Sequence, residues 1–591
     1  MQNVESEFSL VRVPVHLHQF VVDQDYGKYT AIDQAVWRYV MRQNYNFLGK
    51  RAHEAYVGGL RASGIGVEKI PNVAEDMSKA LAQIGWGAVT IDGFIPAVAF
   101  FDFQAHGILP IACDIRTYDH IAYTPAPDII HEAAGHAPII LDEKYREYLK
   151  IFGDIGSKAV SSRQDYELYE AIRLLSIVKE DPNATEEEIK AAEENLDAKS
   201  KAVTEISEAT ELSRLYWWTV EYGLIGDVDN PQIYGAGLLS SVGESMNCLK
   251  PEVKKIPFSL EACISTDFDI TKQQPQLFVC RDFDQLIEAV QEYAKRMAIN
   301  IGGTESLIKA LNMGQTSTTV YSSGLQVSGM VTRLVYDDNN EAIYLNTTGP
   351  TALAINNQEL PGHGKTYHHE GFGSPIGLLQ GESTPLELMN DEQLAALGLV
   401  VDQETTLTFA SGVVVTGKVA YIHRENDKIV LIGFDNCTVT RGDQSLFQAE
   451  WGTYDMAVGE KVVSVFAGAA DREHFESGTH NPSDTKTKRP TYSPQMIKLQ
   501  GLYQTVRDLR EQAVKGEELQ TKLTEVLATL DAEYQNDWLL RLEILELFIT
   551  NQLLADKQTE LRSTLQTLAS QQDDNRELIL NGLGLLDQVS A

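Results

Sequence analysis

The sequence predicts a multidomain α+β protein: a mainly helical region over residues 1–317, a mainly β domain over 318–470 and a helical C-terminal region over 494–591. Three observations carry this reading. At 591 residues with 43% hydrophobic content, the chain is too long for a single core. Apolar residues recur at helical spacing in runs such as IDQAVWRYVMRQ (32–43) and AEDMSKALAQIG (74–85). The pattern then changes to short alternating runs, GMVTRLVYD, TTLTFASGVVVTGKVAYIH and KIVLIGF, set apart by Gly, Asn and Asp turns.

Within the helical region, residues 181–211 are rich in Ala, Glu and Lys, and Asn183, Ala184 and Thr185 precede a glutamate-rich first turn. They read as a solvated helical insertion. Residues 471–493 have linker composition. The amphipathic runs beyond them, LTEVLATL and WLLRLEILELFITNQLL, read as helices that pack on their own chain, on a partner or on a second copy in a homo-oligomer.

Composition excludes several classes. A formal net charge of -35 repels phosphate backbones and anionic lipid, so neither nucleic acid nor membrane is an expected partner. MQNVESEFSL lacks the basic and apolar parts of a signal peptide, which together with the absence of a long apolar run gives a cytoplasmic expectation. Cys113, Cys248, Cys263, Cys280 and Cys437 are scattered and contain no CxxC pair, so they are read as reduced thiols rather than as disulfides or a thiolate zinc site.

The chemistry concentrates in YTPAPDIIHEAAGHAPII (123–140), where His131 and His136 lie five apart. On a regular α-helix they would point well away from each other, so this is not the HExxH zinc arrangement. Pro138 cannot donate to the carbonyl of Ala134 and clashes with it, and a wide π-like turn would bring both rings to one side. In SRLYWWTVEYGL (213–224), Glu221 has Trp217, Trp218, Leu224 and Ile225 as helical neighbours. A carboxylate there needs an arginine or a metal. Two imidazoles and one carboxylate make the facial ligand set of non-haem Fe(II) oxygenases. Zinc on the same residues, with Glu132 as general base, gives a competing hydrolase reading. A non-catalytic scaffold is the third reading.

The strings GFIPAVAFFDF (93–103), DIRTYDHIAYTPAPDIIHEAAGH (114–136), YWWTVEYGL (216–224) and YGAGLLSSVGE (234–244) resemble, in order, those of the pterin-dependent aromatic amino acid hydroxylases. The likeness covers roughly residues 25–310. It implies a catalytic domain of that family's type, with Fe(II) on His131, His136 and Glu221 and a tetrahydropterin as co-substrate. It further implies that Arg116 clamps the substrate carboxylate with Asp128 orienting it, and that Thr124, Pro127, Trp217, Gly237, Ser240 and Ile270 line the amino acid pocket. Ile95 and Phe100 would form the pterin shelf, with Glu132 in polar contact. Reduced pterin and iron would activate dioxygen together.

Ile270 stands where tyrosine hydroxylases carry an acidic residue, and an apolar side chain leaves a phenol hydroxyl without a partner. Trp217 resembles the phenylalanine enzymes, so the expected reaction is L-phenylalanine to L-tyrosine, with tryptophan as the alternative substrate. In the β domain, PGHGKTYHHEGFGSPIG (361–377) holds His363, His368, His369 and Glu370. With no second ligand cluster nearby in sequence, it reads as a Gly-rich loop with incidental histidines. Its glycines match neither phosphate-binding pattern.

Overall fold

The computed structural model describes residues 12–91, 95–122, 127–180, 184–270, 272–476 and 491–589. The helical region is organised around the helix Ala31–Phe47, which opens with a reciprocal cap. The Thr30 hydroxyl accepts from the Asp33 amide, and the Asp33 carboxylate accepts from the Thr30 amide. Its Val36, Trp37, Val40 and Met41 side chains are fully buried. Strands Gly87–Ile91 and Ile108–Ala112 pair in parallel across the helix Ala97–Ala105, which lies on the helix Glu143–Gly156. A four-stranded sheet, in the order Asn230–Ile233, Leu224–Asp227, Gln276–Cys280, Lys254–Pro257, closes the far side.

The polar stretch expected at 181–211 is one arm of a hairpin. Helix Arg163–Glu180 forms the other arm, and Glu186–Ala202 returns along it after a Thr185 cap that pairs reciprocally with Glu188. Ion pairs Lys199–Glu167 and Lys179–Glu193, each 2.9 Å, tie the arms together. On this exposed surface such pairs contribute little to stability.

Strands run from Thr316 to Ala467 in two antiparallel sheets. One places Ala342–Ile355, Gln326–Tyr336, Thr316–Tyr321 and Val462–Ala467 side by side, with Gly371–Pro375 added to the first. The other is built on Val413–Glu425 and Lys428–Arg441, with Tyr454–Ala457 paired to the latter. Each sheet has its own apolar cluster.

Of the C-terminal helices, Pro494–Glu511, Leu539–Thr550 and Arg576–Val589 pack against Ala31–Phe47, while Gly516–Glu533 and Ala555–Gln571 pack on these neighbours. Trp538 is fully buried edge-on to Tyr39, and the Tyr39 hydroxyl donates to the Leu578 carbonyl at 2.6 Å. Arg38 forks onto Glu543 at 2.6 and 2.7 Å with both side chains buried. A single hydrophobic cluster therefore runs through the first helical region and the tail. The tail packs on its own chain, as one of the sequence readings allowed, and completes a core instead of hanging from a linker. Residues 477–490, within the expected linker, lie outside the described residues.

Among the described residues the five cysteines form no disulfide, and four of them are buried. Among the described residues no helix is long and apolar enough to cross a membrane.

Candidate functional site

The segment His131–His136 is a π-helix, running directly into Ala137–Ile139. The Ala137 amide donates to Glu132, five residues back. Pro138 leaves the Ala134 carbonyl without its helical donor, and the Tyr56 hydroxyl supplies one at 2.8 Å. The wide turn brings the two imidazoles together, with Nε2 atoms 3.1 Å apart.

Glu221 ends a second π turn, Trp217–Glu221, closed by the Tyr222 amide on the Trp217 carbonyl at 2.8 Å. Its Oε2 lies 3.2 Å from His131 Nε2, and its Oε1 lies 3.2 Å from His136 Nε2. Ligand atoms held about 2.1 Å from a metal at right angles stand about 3 Å apart, so the three side chains fit a common divalent ion.

The tautomer of His131 is set by its neighbour. Its Nδ1 lies 3.0 Å from Ser240 Oγ, which itself donates to the Ala236 carbonyl at 2.8 Å. The ring N–H therefore belongs on Nδ1, and Nε2 keeps a lone pair for a metal. Gly135 makes this contact reachable: a Cβ there would stand 2.6 Å from the Ala236 carbonyl oxygen, so only glycine lets the helix Ala236–Ser240 lie against the turn.

Removing the Tyr56 hydroxyl should cost about 1–2 kcal/mol, because the buried Ala134 carbonyl would lose its donor. Tyr56→Phe is expected to lower the urea midpoint and to speed amide exchange across residues 131–137. Unchanged exchange there would mean that the turn does not need this bond.

Burial would raise the Glu221 carboxyl, but the charges and hydrogen bonds of His131 and His136 reverse this and hold it well below the usual range. Glu132, buried beside them, goes the other way. Burial pushes it up to about 8, with the negative charge of Glu221 adding to this and His136 opposing it. Its Oε2 has no hydrogen-bond partner.

Asp128 uses all of its acceptor sites. Oδ2 takes the Arg116 amide and Nε, each at 2.9 Å, while Oδ1 takes Arg116 Nη2 at 2.8 Å and the His131 amide at 2.9 Å. It is thus the N-cap of the helix that carries the histidines as well as the partner of Arg116. Burial would raise its carboxyl, but Arg116 holds it below the usual range. Arg116 Nη1 donates to the Ser240 carbonyl at 2.9 Å, which leaves one outer N–H on each terminal nitrogen.

Trp217 is clamped between Tyr222 and Phe268, with ring centroids 4.4 Å away on each side, so only its edge faces outward. Ile270 is half-buried in the loop that carries Phe268. Gly237 lies against the Tyr222 ring and the Glu221 carbonyl, where a Cβ would come within 2.9 and 3.0 Å. Ile95 is buried, and half-buried Phe100 meets Phe101 and Tyr216 edge-on. Pro127 is exposed, and Thr124 lies outside the described residues.

Sequence reasoning missed Tyr56, Tyr222 and Phe268, none of which carries a local signal for its role. Gly135 did carry one: a glycine inside a helical pattern marks close backbone approach.

A family model for biopterin-dependent aromatic amino acid hydroxylase matches residues 23–167 and 194–304. The break falls across the helical hairpin. Among curated relatives, the phenylalanine-4-hydroxylase of Mesorhizobium japonicum is 27% identical over 293 residues, 49% of this chain and 88% of that protein. That of Chromobacterium violaceum is 28% identical over 273 residues, 46% and 77%. A solved structure of Chromobacterium violaceum phenylalanine hydroxylase, with bound iron(III) and the oxidised cofactor 7,8-dihydrobiopterin, is 26% identical. The likeness covers 47% of this chain and 85% of that one, with a TM-score of 0.37. Over residues 23–167 and 194–304, which contain His131, His136 and Glu221, this chain is similar to the biopterin-dependent aromatic amino acid hydroxylases.

Proposed function

We propose that the chain hydroxylates L-phenylalanine to L-tyrosine, with Fe(II) on His131, His136 and Glu221 and with a tetrahydropterin and dioxygen as co-substrates. The observation that supports it most is the pair of π turns, which aim two imidazoles and one carboxylate at a single point. Iron and reduced pterin together supply the activation of dioxygen and the electrons for it.

The protein's own part is positional. Arg116, braced by Asp128 and the Ser240 carbonyl, presents its two outer N–H groups to the substrate carboxylate. Thr124, Pro127, Trp217, Gly237, Ser240 and Ile270 shape the pocket that holds the ring near the metal. Ile95 and Phe100 offer the pterin an apolar shelf, and Glu132 turns its unpaired oxygen to the pterin's polar edge. His131, His136 and Glu221 would hold the metal from one side, and a three-ligand set of this kind would leave it able to take up oxygen.

Ile270 gives a phenol hydroxyl no partner, which disfavours tyrosine, and the clamped Trp217 narrows the pocket against an indole. The reaction is placed in the cytoplasm, with small molecules as partners. Self-association uses faces of the C-terminal helices that the shared core leaves uncovered.

Comparing phenylalanine, tryptophan and tyrosine as substrates of the Fe(II)-loaded full chain, with tetrahydropterin and oxygen, tests this. We expect tyrosine from phenylalanine, with kcat/KM at least about tenfold above that for tryptophan, equivalent to about 1.4 kcal/mol at the transition state. A preference for tryptophan would overturn the substrate assignment, and silence with all three the reaction.

A further inference from the structure

We propose that His363, His368 and Asp455 form a second metal site, in the β domain, that takes a divalent transition ion of the Zn2+ type. It is independent of the hydroxylase reading. The sequence offered only a Gly-rich loop with incidental histidines, because the third ligand comes from a distant strand. The structure folds the loop onto Tyr454–Ala457, which carries Asp455.

The donor atoms converge. His363 Nδ1 and His368 Nε2 are 3.3 Å apart, and Asp455 Oδ2 lies 3.9 and 3.8 Å from them. A triangle with those sides has a circumradius of about 2.1 Å, so one ion lies within bonding distance of all three, in the Zn–N and Zn–O range. Two imidazoles and one carboxylate, with no thiolate, suit Zn2+ or a neighbouring ion and leave a coordination position open.

The surroundings are built for this geometry. The carbonyls of His363 and His368 are pinned to one strand, Ala342–Ile355, by the amides of Leu353 at 2.9 Å and Thr351 at 3.1 Å. Asp455 Oδ1 accepts from the Tyr421 hydroxyl at 2.5 Å, which orients the carboxylate and turns Oδ2 to the histidines. Tyr421 reaches it by lying over Gly433, where a Cβ would stand 2.1 Å from the phenol ring.

Electrostatics ask for a cation. The side chains of Asp455 and His368 are only 3% and 7% exposed. Among the described residues no lysine or arginine lies within ion-pair distance of Asp455. A buried carboxylate without a cation is costly, and both histidines are too far from Oδ2 for a hydrogen bond. Lys365, in the same loop, is turned away and donates to the Phe475 carbonyl at 2.5 Å. Tyr367, itself exposed, packs edge-on to both histidine rings with its hydroxyl toward Asp455.

The test is metal counting on the full chain, stripped with chelator, reloaded with Zn2+ alone, desalted and measured by plasma mass spectrometry. We expect two ions per wild-type chain, one in His368→Ala, one in His131→Ala and none in the double variant. Asp455→Asn keeps the shape and the Tyr421 contact, so it guards against misfolding. It should weaken the second ion at least tenfold with an unchanged circular dichroism spectrum. A single ion in the wild type, or two ions retained in both His368→Ala and Asp455→Asn, would overturn the site.

Discussion

Asp128→Ala is expected to abolish tyrosine formation and to cost about 3–5 kcal/mol, the range for removing one partner of a buried ion pair. Four hydrogen bonds end on this carboxylate, three from Arg116 and one from the His131 amide. Losing them leaves a buried guanidinium unpaired and uncaps the helix that carries two of the proposed metal ligands. Asp128→Asn keeps the shape and separates the two roles. It should still bind iron but show a phenylalanine KM raised by at least tenfold, because the Arg116 fork loses its anchor. Steady-state kinetics beside iron counting reads both; a wild-type KM in Asp128→Asn would remove Arg116 from the substrate site.

Glu543→Ala should destabilise the catalytic half by about 3–5 kcal/mol although it lies far along the chain from every proposed site residue. Arg38 would be left buried and unpaired on the central helix, beneath Trp538 and the C-terminal helices. Thermal unfolding followed through hydroxylase activity should show the loss, and a chain ending at residue 476 should show a larger one. A truncated chain that melts with the full-length protein would make the tail an accessory. On the geometry here the first 317 residues do not close their own core.

The wide turn was legible in the sequence because its geometry is local. Two histidines five apart before a proline demand a wide turn, and the structure has one. Glu221 among apolar helical neighbours needed a positive partner, and it lies between His131 and His136. The two-sheet β region was legible as alternation. What remained hidden depends on contacts between distant residues. Nothing near His363 announces Asp455, nothing near Ala134 announces Tyr56, and neither Arg38 nor Glu543 signals its mate. Periodicity reports which face of an element is apolar, never which element covers it. The polar hairpin shows the same limit from the other side: its charges predicted a solvated helical stretch at 181–211 but not its pairing with the arm Arg163–Glu180.

The most direct test of the central claim is a pterin-limited assay on the Fe(II)-loaded full chain, with tyrosine quantified against tetrahydropterin consumed. Wild type is expected to form tyrosine from phenylalanine in proportion to the pterin supplied, and His131→Ala and Glu221→Ala to form none and to retain no iron at that site. Tyrosine formed without pterin, or formed undiminished by Glu221→Ala, would contradict the account.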